Sequence, residues 1–164
     1  MHFELEQQLP GSVEAVLGVL VDPDFVPRLE ALPRLGQPEL LEHHADDGEV
    51  RQRVRHRFVG DLPGPVTAVL DPARLTWVEE VTYDLGRATA SFLIVPDHYA
   101  DRLTCHGSYV LAPVGAGTCR RVSGELKVRY PLVGRTVERA ILSGIEEHLA
   151  GEATLIATTL GPAG

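Results

Sequence analysis

The chain has 164 residues, 44% hydrophobic and 23% charged, a balance that argues against disorder and suits about one domain with a proper core. No apolar run approaches the ~18 residues of a membrane-spanning helix. The net charge of −8 disfavours nucleic acid and anionic membranes unless the positive residues cluster.

His2 to Leu9 alternates Phe3, Leu5 and Gln7 against His2, Glu4 and Glu6, the period of a half-buried strand, and Pro10-Gly11 ends it. The same opening residues lack a positive leader and an apolar h-region, so a cytoplasmic location is expected. Ser12 then caps "VEAVLGVLV", which sets Val13, Val16, Leu17 and Leu20 at helical spacing. Asp22 and Pro23 open a second short helix over "DPDFVPRLEAL", with proline at the one helical position where its missing N–H costs nothing.

From Gln37 the period drops to two. Strands are expected over 38–45, 49–59, 66–70, 75–83, 88–95, 102–112 and 119–130, separated by "DDG", "LPGP", "DPAR", "DLGR", "PDHYAD" and "VGAG". Pro131 stops the sheet. From 136 to about 160 the spacing is helical, with Val137, Ile141, Ile145, Leu149 and Ile156 on one side and Arg139, Ser143, Glu146 and Thr154 on the other. The pattern predicts an α+β chain in which a long C-terminal helix covers the apolar face of an antiparallel meander.

That order, with "FELEQQLPGSVEAVLGVLVDPDF" at the start and "GELKVRYPLVGRTVE" leading into the last helix, resembles the START-like, helix-grip superfamily. Pollen-allergen-like proteins, polyketide cyclases and dehydratases, and lipid-transfer domains belong to it. The likeness is strongest to a bacterial subgroup of unknown function, through "YPLVG" followed by Glu138. It covers nearly the whole chain and implies a single START-like domain over 1–164. It also implies a helix-grip fold: a curved antiparallel sheet of seven to eight strands wrapped around the C-terminal helix, with two short helices after the first strand. A cavity between sheet and helix would hold an apolar or amphipathic ligand. None of these motifs encodes a reaction.

The segment "EVRQRVRHRFVG" carries arginine at 51, 53, 55 and 57, so Val50, Gln52, Val54, His56 and Phe58 share the opposite face. The arginines read as a solvated outer face, with Glu42 close to Arg51 across the hairpin. Gln52 and His56 are then polar groups on an apolar wall. The same parity turns Leu75, Trp77, Glu79, Val81 and Tyr83 inward, then Ala88, Ala90, Phe92 and Ile94. Leu103, Cys105, Gly107, Tyr109 and Leu111 follow, and finally Val122, Gly124, Leu126 and Val128. The small residues Ala88, Ala90, Gly107 and Gly124 leave room for a cavity or admit close packing.

On the long helix Glu138, His148 and Glu152 lie within the apolar arc, and His148 and Glu152, four apart, meet on one face. A carboxylate beside imidazole orients it and tunes its proton affinity, so His56, His148 and Glu152 are the candidates for proton transfer. Two ligands without a third are a weak metal signal, and no metal is expected. His43 and His44 point to opposite faces, His98 lies in a loop and His106 on the outer face. No phosphate loop, nucleophile elbow or zinc spacing occurs, so no cofactor is expected. Cys119 should lie opposite Ala112 and Cys105 near Leu126, on different faces and unbridged.

These residues support binding or carriage of a hydrophobic or amphipathic small molecule: a lipid, polyketide or aromatic compound. Its ligand-binding set is Gln52, His56, Trp77, Phe92, Tyr109, Val137, Ile141, Ile145 and His148. A cyclase- or dehydratase-type enzyme using the cavity histidines is the second reading, and a protein interaction module the third. Neither nucleic acid nor stable membrane association is expected; the chain would be a monomer or a homodimer.

Overall fold

A computed structural model describes residues 1–161. β1 (His2–Leu9) leads to α1 (Val13–Leu20), where the Ser12 hydroxyl accepts a hydrogen bond from the Ala15 amide at 3.1 Å. Pro23–Ala31 forms a 3-10 helix rather than an α-helix. Pro27 within it removes an amide donor that an α-helical ladder would need, while Asp22 caps its start through the Asp24 amide at 2.9 Å.

Six strands follow: β2 (Glu39–Asp46), β3 (Glu49–Arg57), β4 (Thr76–Asp84), β5 (Thr89–Pro96), β6 (Leu103–Val114) and β7 (Gly117–Val128). They make one seven-stranded antiparallel sheet in the order β1-β7-β6-β5-β4-β3-β2. A short α2 (Gly64–Thr67) interrupts the meander, and α3 (Gly134–Leu160) closes the fold. This is the helix-grip arrangement.

The expected strand over 66–70 is a correction. Val66 and Leu70, both buried, are four apart; that spacing suits one helical turn as well as a short apolar run. Pro65 in the first turn settles the choice for a helix. Two strand ends also shift. β3 stops at Arg57, and Phe58 bridges to Leu35 instead of continuing the ladder. Ala88, expected as an inward strand residue, is a turn residue at φ 54° before β5 begins.

The β2–β3 hairpin turns through Asp47 and Gly48, both at positive φ, as a two-residue hairpin turn requires. Its register sets Glu42 opposite Arg53, not Arg51, which faces His44. Glu42 accordingly stands 3.7 Å from Arg53. The arginines lie on the outer face as the alternation predicts, Arg53 also reaching Glu80 at 3.2 Å and Arg55 reaching Asp97 at 3.2 Å. The β6–β7 register places Cys119 opposite Ala112 and Cys105 opposite Leu126, so the two free thiols face opposite ways.

The core is lopsided, and that positions the site. α3 packs against β1, β7 and α1, where Val16, Val122, Leu126, Val137 and Ile156 are fully buried, each worth about 1.5–3 kcal/mol. Over β3, β4 and β5 the helix stands off, and α2 reaches it from the other side. Gly107 and Gly124, partners across β6 and β7, do not widen this space. A Cβ on Gly107 would stand 2.7 Å from the Phe92 ring, and one on Gly124 2.6 Å from the Phe3 ring. Their smallness seats those two rings.

Candidate functional site

The gap between α3 and the β3–β6 half of the sheet is a cavity of about 420 Å3, within the range of small-molecule sites. Trp77, Phe92, Ile94, Ile141 and Ile145 supply apolar wall, and Leu62, Val66 and Leu70 close it from the α2 side. Of the nine residues expected to bind ligand, His56, Trp77, Phe92, Tyr109, Ile141, Ile145 and His148 line it. Ser143, expected on the solvent side of α3, is exposed yet also reaches the lining.

Gln52 and Val137 stand elsewhere. Gln52 faces inward and is buried, but its amide donates to the Val21 carbonyl at 2.9 Å and meets His43 Nδ1 at 3.1 Å; it ties β3 to the end of α1. Val137 is wholly buried in the helix–sheet core. Glu138 is spent on structure as well: its Oε1 accepts the Val128 amide hydrogen at 3.1 Å, at the end of β7.

Polar groups converge at one end of the cavity. β3 and β4 pair so that His56 lies directly opposite Trp77, and the two rings stack at 5.7 Å between centroids. His56 Nε2 stands 3.5 Å from Glu79 Oε2. His148, from α3, meets His56 edge-on at 6.2 Å, and its own Nε2 lies 3.8 Å from Glu152 Oε2. Glu152 does not line the cavity; it continues the chain inward, accepting from Arg120 Nη1. Arg120 is 1% exposed, also donates through Nε to Gln7 Oε1 at 2.9 Å, and lies 5.7 Å over the Tyr109 ring.

The electrostatics follow from burial and this pairing. For Glu79, burial pushes the carboxyl up, but His56, then His148 and Arg120 nearby, together hold it below the usual carboxylate value. Burial likewise opposes the charge on Arg120, and Glu152 more than restores it. Tyr83 and Tyr109 are driven well above the usual phenol range by burial, so both stay neutral. The Cys105 thiol is pushed up to about 12 by burial and by the nearby Glu79, which leaves it inert near neutral pH. Arg120 answers the Glu152 carboxylate directly.

Both Nδ1 atoms, of His56 and His148, are buried without a hydrogen-bond partner. Two such imidazoles in contact leave two unsatisfied polar atoms beside an apolar hole. Among the described residues no three His, Cys, Asp or Glu side chains converge as a metal site would require.

Arg120 and Gln7 are the parts of the site the sequence reading left out, although Arg120 shares the parity of Val122, Gly124, Leu126 and Val128 and so had to point inward. Further charged side chains line the cavity: Arg34 pairs with Glu147 of α3 at 3.2 Å, and Arg74 lies over Tyr99 at 5.3 Å.

Comparison with solved structures gives the fold. The chain is similar to TTHA0849 from Thermus thermophilus, with a TM-score of 0.72 and 18% identity over 98% of this chain and 100% of that one. It is also similar to the ZhuI aromatase/cyclase from a Streptomyces species, with a TM-score of 0.67 and 16% identity over 95% and 90% of the two chains. Norcoclaurine synthase from Thalictrum flavum gives a TM-score of 0.67 and 20% identity over 98% and 86%. No curated protein matches the sequence. No helix among the described residues is long and apolar enough to cross a membrane. These likenesses to solved structures show the helix-grip fold. Residues 4–160 match the family described as Protein of unknown function (DUF2505), and the chain belongs to that family.

Proposed function

We propose that this protein binds a hydrophobic or amphipathic small molecule, of lipid, polyketide or aromatic type, in the cavity between α3 and the sheet. The observation that carries this is a largely apolar hole into which a cluster of polar groups, His56, Glu79 and His148, projects. The ligand's apolar body packs on Trp77, Phe92, Ile141 and Ile145, and a hydroxyl, carbonyl or amine at its end meets the imidazole–carboxylate group. Apolar walls with a few converging polar groups are what such sites use for affinity and orientation respectively.

Gly144 offers a direct test. It lines the cavity, and a Cβ there meets nothing within 4 Å. Gly144→Trp should fill the hole, weakening an apolar fluorescent probe such as anilinonaphthalene sulfonate by at least about tenfold. The melting temperature should hold or rise, because replacing a mid-helix glycine removes up to ~1 kcal/mol of helix penalty. Probe affinity unchanged in Gly144→Trp would sink the cavity reading.

The unpartnered Nδ1 atoms favour a second reading, proton transfer of the cyclase or dehydratase kind. Here His56 and His148 act as bases toward an enolisable substrate, with Glu79 and Glu152 beside the rings. With a poly-β-ketone substrate, His56→Ala and His148→Ala should each lower turnover by roughly 10²–10⁴-fold. Turnover equal to the parent protein in both variants would remove this reading and leave the binding one intact.

A further inference from the structure

The turn that joins β7 to α3 is unlike the rest of the surface. Leu132 at its tip is fully exposed and sits at φ 68°, a left-handed backbone that a leucine adopts only at a cost. Its exposure is built in. The Gly134 amide donates to the Tyr130 carbonyl at 3.0 Å and the Val133 amide to the Pro131 carbonyl at 2.8 Å, while Tyr130 and Val133 pack on the core from either side. The turn cannot fold Leu132 inward without giving up those bonds.

Beside Leu132 lies a surface hollow of about 520 Å3, shared by Lys127, Arg135 and Arg139. Among the described residues none of these three cations has a carboxylate within 4 Å. Nearby carboxylates are engaged elsewhere: Glu138 on the Val128 amide, Glu125 on His2, Asp101 beside Arg102. Elsewhere arginines are commonly paired, as Arg34, Arg53, Arg55 and Arg121 are. On a chain of net charge −8, three unpaired cations around one exposed leucine are a local reversal of sign.

We propose that this turn is a peripheral docking surface for anionic membranes, with Leu132 entering the boundary between headgroups and acyl chains and Lys127, Arg135 and Arg139 holding lipid phosphates. Charge complementarity selects an anionic partner, and the leucine selects lipid over nucleic acid. An aliphatic tip gains by entering a bilayer interface and gains nothing against a sugar–phosphate backbone. One side chain and three cations give reversible, salt-sensitive attachment, since each basic residue near an anionic surface is worth a modest increment. The surface is independent of what the cavity holds.

Sedimentation with vesicles of phosphatidylcholine, alone or mixed with phosphatidylglycerol, decides it. The protein should pellet with the mixed vesicles at low salt, not with phosphatidylcholine alone, and should leave them at high salt. Arg135→Ala and Arg139→Ala should each weaken partitioning roughly fivefold, and Leu132→Ser about tenfold with the salt dependence kept. All three side chains are exposed, so melting temperatures stay at the parent value, and probe binding in the cavity, read on the same samples, should be unchanged. No pelleting with mixed vesicles at low salt would overturn the proposal, as would pelleting that Leu132→Ser or the paired arginine variants leave unaltered. Equal binding to duplex DNA, insensitive to Leu132→Ser, would overturn it in favour of a general polyanion site.

Discussion

Arg120→Ala is expected to destabilise the protein by about 3–5 kcal/mol, read as a fall in the urea midpoint with little change in slope. Arg120 is 1% exposed and answers Glu152, Gln7 and the Tyr109 ring at once. Removing it strands the Glu152 carboxylate beside two neutral phenols in a place that water reaches poorly. The pair itself contributes less than its loss suggests, because taking two charges out of water offsets most of their attraction. The double variant Arg120→Met with Glu152→Leu should therefore recover most of the stability lost in Arg120→Ala. A loss below about 1 kcal/mol in Arg120→Ala would show that Glu152 is solvated or takes up a proton there.

The same double variant separates stability from function. Glu152 also stands 3.8 Å from His148 Nε2, so a refolded but unpaired site leaves His148 without its neighbouring carboxylate. Probe affinity, set by apolar walls, should stay within a few-fold of the parent protein. Any proton-transfer activity should fall with the loss of imidazole orientation.

Parity along the strands was the most informative signal in the sequence, and its failures are specific. Alternation in "EVRQRVRHRFVG" placed His56 inward, and the same rule turned Trp77, Glu79 and Phe92 toward it; the register then brings His56 and Trp77 side by side. Gln52 obeys the rule too, yet it meets α1 rather than the cavity. Whether an inward residue faces core or cavity depends on where α3 crosses the sheet, and no local pattern encodes that crossing. Arg120 was legible by parity and hidden by type: in "CRRVSG" two adjacent arginines look like surface, though one of any such pair on a half-buried strand must point in. The contact of His56 with His148 joins a strand to a helix far along the chain, so it awaited the tertiary fold. The 66–70 segment failed because five residues, four of them apolar, beside two prolines fit either period.

Gly107→Ala should cost about 3 kcal/mol or more, the upper end of overpacking penalties, because its new methyl group has nowhere to go. It would overlap the Ser123 carbonyl oxygen, stand 2.7 Å from the Gly124 Cα and 2.7 Å from the Phe92 ring. Two of these three neighbours are backbone of the paired strand β7, so relief requires the β6–β7 ladder to open rather than a side chain to turn. Gly124→Ala provides the comparison. Its Cβ meets the Phe3 ring at 2.6 Å and the His106 carbonyl oxygen at 2.8 Å, so trimming Phe3 to leucine should recover part of the loss, whereas trimming Phe92 should recover little for Gly107→Ala. Phe92 forms cavity wall and stacks on Tyr109 at 5.1 Å; a displaced Phe92 should therefore reshape the cavity wherever the variant still folds. Chemical denaturation of the four variants, with probe titration of those that remain folded, tests both halves of this argument. Gly107→Ala with parent-like stability would mean that the sheet yields at its centre, and the account of how these glycines seat Phe92 and Phe3 would fall with it.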